Sequence, residues 1–207
     1  MTGIISDNVG RTSGLIKAAS GGGGVWTLIK TLTASGDSDL SFVDGTDDVV
    51  LDSTYPIYVF KTINAHPSDD QAAIAFQANA VGGSGYNETI TSTTFRAYHR
   101  EDDGSTPALA YNTGTDQAQG TALQPLSFGQ SNAADASMSG ELHLFNPSST
   151  TYVKNFFGTT NNLQNGNYTE EQFTAGYINV TAALTQIQFK MSSGNLDAGS
   201  IYLYGIK

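Results

Sequence analysis

The sequence predicts an all-β fold, an antiparallel β-sandwich of jelly-roll-like form, preceded by an extended N-terminal arm. Three observations predict it. Aromatic and β-branched residues fall in short runs, with 10 Tyr and 10 Phe in 207 residues, and such side chains suit a pleated surface. Clusters of Gly, Asn, Asp and Ser separate the runs at intervals of roughly 8–12 residues or somewhat more, the spacing of a sandwich. No stretch sustains a long amphipathic helical period, and strands do not alternate with helices, which excludes α/β architectures.

The elements follow in order. VWTLIKTLTASG (25–36) alternates as a first strand, with Trp26, Leu28, Lys30 and Leu32 on one side. DLSFV (39–43) is a short second strand before the acidic turn DGTDD. YPIYVFKTIN (55–64) is apolar on both faces around Ile57, Val59 and Ile63, as a central strand should be. Pro56 belongs at its start, because proline cannot donate to a ladder. AAIAFQANA (72–80) suits helix or strand by propensity; Phe76 and the flanking turn clusters favour strand.

VGGSGYNE is a turn, and TSTTFRAYHRED (91–102) a strand with polar alternation. EDDGSTPA reads as a loop and YNTGTDQAQG (111–120) as an exposed, mobile stretch. TALQPLSFG (121–129) and SGELHLFNPSS (139–149) read as strands, the latter with Leu142 and Leu144 inward and Glu141 and His143 outward. Asn146-Pro147-Ser148 turns the chain, and TYVKNFFGTT (151–160) pairs back as a hairpin. TAGYINV, LTQIQFKM and SIYLYGIK complete nine to eleven strands. In the second of these, Ile187, Phe189 and Met191 alternate with Gln186, Gln188 and Lys190, a period of two with one wet face.

The formal net charge is -10, from nine Lys and Arg against nineteen Asp and Glu. No basic stripe is present to neutralise phosphates, so a nucleic-acid partner is disfavoured. Charged residues are only 14% of the chain, too few for a coiled coil or a disordered tail. Cysteine is absent, so neither disulfides nor thiolate-held metals contribute. No run of about 18 apolar residues exists to span a membrane. The opening MTGIISDNVGRTSG lacks the charged start and apolar run of a secretory signal, which predicts a protein made and kept in a cytoplasm. Sequons at Asn87, Asn167 and Asn179 then read as chance in an Asn- and Thr-rich chain.

Four consecutive glycines, Gly21–Gly24, stand between a short mixed segment and Trp26. Glycine loses the most conformational entropy on ordering, so the run suits a tether or a close backbone approach. The expected organisation is an arm over 1–20, a glycine hinge over 21–24 and one sandwich domain over 25–207. Neither IISDNVG nor LIKAA sustains a helical face long enough to stand alone. A frayed terminus and a segment that docks on a partner subunit both remain open on these grounds.

Chemistry is sparse. His66, His99 and His143 lie on separate elements without metal-ligand spacing, and the two on strands are expected to face solvent. No serine sits in G-x-S-x-G, and the glycine run lacks a phosphate-loop lysine. Acid pairs able in principle to serve a glycosidase are Asp47 with Asp48, Asp69 with Asp70, and Glu101 with Asp102 and Asp103. All lie in turns, where Asp is commonly a turn former; a loop calcium site is the next reading. YNTGTDQAQG and TTNNLQNGNYTEEQF (159–173) are expected on the exposed side, where Asn, Thr and Tyr could meet sugars or subunits, or be ordinary polar loops. No catalytic residue, metal or cofactor is expected.

GIISDNVGRTSGLIKA (3–18) and SSGNLDAGSIYLYGIK (192–207) resemble the two ends of small structural proteins of tailed bacteriophages, especially marine ones. GELHLFNPSSTTYVKNFFG (140–158) resembles that family's mid-domain hairpin, so the likeness touches about a quarter of the chain. The resemblance implies a non-enzymatic virion component, a capsid decoration or tail-associated protein assembled in the host bacterial cytoplasm. It implies that Ile4, Ile5, Val9, Leu15 and Ile16 are apolar anchors, with Arg11 and Lys17 as charges, on another virion protein. Gly21, Gly22, Gly23 and Gly24 would then set the angle of the domain. A homo-oligomer, with a trimer favoured, follows from the same class. The other expectation is a fibre domain recognising a host surface glycan or protein.

Overall fold

Alternation of apolar and polar side chains drives each run into extended backbone, and the computed structural model describes the result for residues 24–207. The N-terminal part comprises β1 (Trp26–Thr33), β2 (Leu40–Val43), β3 (Ile57–Pro67), β4 (Ile74–Ala80), β5 (Ile90–Arg100) and β6 (Ala108–Tyr111). It continues with β7 (Gln124–Pro125), β8 (Met138–Phe145), β9 (Lys154–Gln164), β10 (Tyr168–Ile178), β11 (Leu184–Met191) and β12 (Leu196–Ile206). They form an eight-stranded sheet, β1-β12-β3-β8-β9-β10-β5-β6, and a four-stranded one, β2-β11-β4-β7.

Four antiparallel pairs are nested: β1 with β12, β2 with β11, β3 with β8, and β4 with β7. Such nesting, divided over two sheets, is the jelly-roll arrangement. The remaining strands are insertions into this frame. β5 and β6 lie between β4 and β7, and β9 and β10 between β8 and β11. Together they widen one sheet from four strands to eight. All of these pairings are antiparallel.

The apolar core sits between the sheets. Phe42 of β2 meets Phe60 of β3 edge-on at 5.3 Å, Phe60 meets Phe189 of β11 at 5.2 Å, and Phe76 of β4 meets Phe156 of β9 at 5.0 Å. Each such side chain contributes about 1.5–3 kcal/mol by leaving water, and each aromatic pair about 0.5–1.5 kcal/mol more. β4 is buried on both faces along its length, so AAIAFQANA is a strand. Its buried Gln77 is satisfied internally: Nε2 donates to the carbonyls of Glu88 and Ala122 at 3.0 and 2.9 Å.

Several expectations need correction. A bulge between Leu28 and Lys30 breaks the alternation of β1, so Trp26 and Leu28 are exposed while Ile29 and Leu32 pack on the core. TALQPLSFG contributes only the two-residue β7, because Ser127 Oγ and the neighbouring backbone bond to β4 singly instead of continuing the ladder. Ala108–Tyr111, expected within loop, is strand β6 beside β5. The strand expected at TAGYINV begins six residues earlier, at Tyr168, so TTNNLQNGNYTEEQF is largely the β9–β10 hairpin. Its polar residues alternate inward: Thr160, Asn162, Glu170 and Gln172 are buried. YNTGTDQAQG likewise buries Asn112 and Thr115. The interior beneath the inserted strands is therefore polar, a side chain and main-chain network rather than an oil-like core.

Candidate interaction surface

The outward side chains of the eight-stranded sheet form an apolar row at right angles to the strands. Leu28 is in register with Tyr204, Tyr204 with Val59, Val59 with His143, and His143 with Phe157. Period-two geometry puts all five on one face. Trp26 closes one end, meeting Tyr204 at 5.5 Å and His143 at 6.5 Å. The Lys61 ammonium lies 4.6 Å from the Trp26 ring, a cation–π contact. His143 and Phe157 stack at 4.5 Å. Val59 is completely buried yet lies outside the inter-sheet core cluster. The outer aromatic layer covers it.

One residue pair further along the strands, Phe173 is in register with Phe95 and Phe95 with Tyr111. The first two rings stack at 4.7 Å. Trp26, Leu28, Phe95, Tyr111 and Phe157 remain substantially exposed. Exposed aromatic and aliphatic side chains therefore run across the outer face of the large sheet.

His143, expected in solvent, has only 15% of its side chain exposed and is hydrogen-bonded through Nε2 to Glu141 Oε1 at 2.8 Å. Burial opposes charge on Glu141, but His143 and Lys61 outweigh it and lower the carboxyl below its ordinary range. His99 is half exposed beside Asp103, and His66 approaches the Ala133 carbonyl. The three histidines do not converge.

The acid pairs serve their turns. Asp47 and Asp48 adopt φ of 49° and 66° in the loop after β2. Asp69 and Asp70 accept from Ser68, Asn132 and Asn165. Asp102 accepts from Gly104 and pairs with Arg100 at 3.1 Å. Among the described residues no three His, Asp or Glu side chains gather in a metal-holding geometry.

The sequence missed one ionic feature entirely. Arg96 of β5 and Glu170 of β10 form an ion pair inside the sandwich, with the guanidinium also 4.3 Å from the Phe128 ring. Around them Thr94 Oγ1 donates to the Asn112 carbonyl at 2.7 Å, and Gln124 Nε2 to the Thr115 carbonyl at 2.8 Å. Alternation along TEEQFT could have indicated that Glu170 and Gln172 share a face with Thr174. Nothing local shows that this face is the inner one.

The arm residues Ile4, Ile5, Val9, Arg11, Leu15, Ile16 and Lys17, with Gly21–Gly23, lie outside the described residues. Gly24 lies at the start of the described chain, where its amide donates to the Lys207 carbonyl, so the two ends of the domain meet at the β1–β12 edge. Comparison with family models, with curated proteins and with solved structures found no match for this chain.

Proposed function

We propose that the protein is a non-enzymatic structural component of a bacteriophage virion, a capsid decoration or tail-associated protein that docks on a neighbouring virion protein through residues 1–20. The observation that carries this reading is the exposed aromatic row on the outer face of the large sheet. It supplies a rigid apolar surface for packing against further copies, a trimer being favoured, while the arm supplies attachment. The nested jelly-roll order supports the reading, since viral capsid domains use this architecture, although lectins use it too. The terminal and hairpin motifs that resemble phage structural proteins support it independently.

Deletion of residues 1–20 tests the attachment. The truncated protein should unfold cooperatively at the full-length midpoint and be absent from purified particles. Incorporation at full occupancy would remove the arm from the account. A second reading, a fibre domain that recognises a host surface glycan or protein, is favoured by a groove on the inserted strands beside the aromatic row, about 470 Å³ in volume.

A further inference from the structure

The four inserted strands are not needed to complete the jelly roll, yet their outward face is not plain. Ala97 and His99 of β5, Leu109 of β6, Asn161 of β9, and Thr169 and Glu171 of β10 line a groove of about 470 Å³, with Pro107 at its rim. Leu109 is 71% exposed. A smaller depression of about 190 Å³ adjoins it, floored by Phe95, Phe157 and Phe173. Phe95 and Phe173 lie two residues along their strands from Ala97 and Glu171, a displacement of about 7 Å.

We infer that this groove binds an extended, uncharged carbohydrate chain through the face of the inserted strands. The inference rests on the receptor-recognition reading above and names its site and ligand class.

The chemistry favours a sugar on three counts. A pyranose offers an apolar C–H face and a rim of hydroxyls, so it needs a flat apolar patch flanked by hydrogen-bonding groups. Leu109, Ala97 and Pro107 provide the patch, and the Phe95–Phe173 stack continues it. Glu171, Asn161 and Thr169 provide the rim.

The rim also has free capacity. Asn161 Nδ2 donates to Thr169 Oγ1 and to the Glu170 carbonyl, both at 3.1 Å, which fixes the amide with its oxygen unpaired among the described residues. The Glu171 carboxylate makes no hydrogen bond or ion pair among the described residues, unlike its neighbour Glu170. A carboxylate acceptor strengthens a hydroxyl contact beyond a neutral one.

Charge then selects a neutral ligand. The nearby guanidinium groups are engaged elsewhere, Arg96 with Glu170 and Arg100 with Asp102. The imidazole of His99, which also lines the groove, is likewise engaged, 3.1 Å from Asp103. The groove therefore presents the Glu171 carboxylate with every neighbouring basic side chain already paired, on a chain of net charge -10. A second copy of this chain is a poorer occupant, because packing over Glu171 would strip water from an unpaired charge. The backbone that carries these side chains is fixed by the β5, β6, β9 and β10 ladders, so little main-chain freedom is lost on binding.

Saturation-transfer NMR of the full-length protein with maltohexaose, cellohexaose and mannohexaose tests the inference. At least one should receive saturation, and L109A and E171Q should each weaken its binding about tenfold, the scale of one well-placed contact. Y152A, at an exposed tyrosine in the turn before β9, should leave binding unchanged. Transfer to none of the three sugars, or transfer indifferent to L109A and E171Q, overturns the inference. A changed sedimentation coefficient of the sugar-free protein in those two variants also overturns it, by making the groove a contact between copies. Adsorption of the protein to host cells without hexasaccharide binding would keep recognition and remove this ligand class.

Discussion

Arg96 Nη1 lies 2.9 Å from Glu170 Oε2 across the β5–β10 ladder, and the glutamate is wholly buried. The pair is diagonal: Arg96 is in register with Gln172, and Tyr98 with Glu170. Desolvation pushes the Glu170 carboxyl above the ordinary range, against the opposing pull of Arg96. The folded state therefore holds this proton more tightly than the unfolded chain does. By linkage, the stability contributed by this group is present at low pH and is lost as pH rises through the folded value.

Removing the arginine exposes that imbalance. R96A leaves a buried carboxylate without its cation, which should cost about 3–5 kcal/mol at pH 7. The loss should shrink towards pH 5, where Glu170 can take up a proton instead. Urea unfolding at the two pH values reads this directly, and an equal loss at both would contradict the burial of the charge.

Lys154 is a second buried ion. Its ammonium donates to the carbonyls of Tyr152, Val180 and Thr181 at 2.9, 3.0 and 3.1 Å, tying the β9 start to the β10–β11 connection. Burial lowers its pKa from the ordinary lysine value, with Glu88 pulling the other way. K154M keeps the stem but strands three acceptors, and should cost about 2–4 kcal/mol. Amide exchange at 179–182 should accelerate more than exchange in β4; uniform acceleration would argue against a local tie.

Val59 and Phe60 separate the two apolar layers. Phe60 belongs to the inter-sheet core, whereas Val59 lies under the outer aromatic row. F60A should cost about 3–5 kcal/mol and V59A about 2 kcal/mol. The double change V59A/W26A should fall short of the sum of the single effects, because both open the same layer. Strict additivity in chemical unfolding would mean that Trp26 does not help to cover Val59.

Gly199 occupies a break in the β12–β3 register at φ +108°. A Cβ there would stand 2.6 Å from the Ala65 Cα and the Asn64 carbonyl oxygen, both backbone atoms that cannot rotate away. G199A combines that clash with a strained φ and should lower stability by about 2–4 kcal/mol in thermal unfolding. G36A, at φ +80° with open space around it, should cost less. Equal losses would locate the whole effect in backbone conformation.

Much of this architecture was legible in the linear chain, because a period of two is a local property. The runs at Leu40–Val43, Ile57–Pro67 and Leu184–Met191 show their strand character in their own residues. So does the Asn146 turn, whose hydrogen bond from Ser149 is short-range. Which face of a polar strand turns inward is a different matter. Glu170 and Glu171 are neighbours of the same type, yet the first is buried against Arg96 and the second is open in the groove. That choice depends on where β5, whose Arg96 precedes Glu170 by 74 residues, is laid alongside β10, and on the bulges that shift register elsewhere. Composition and local alternation determined that the chain would make sheets; long-range pairing decided which charges those sheets enclose and which they leave at the surface.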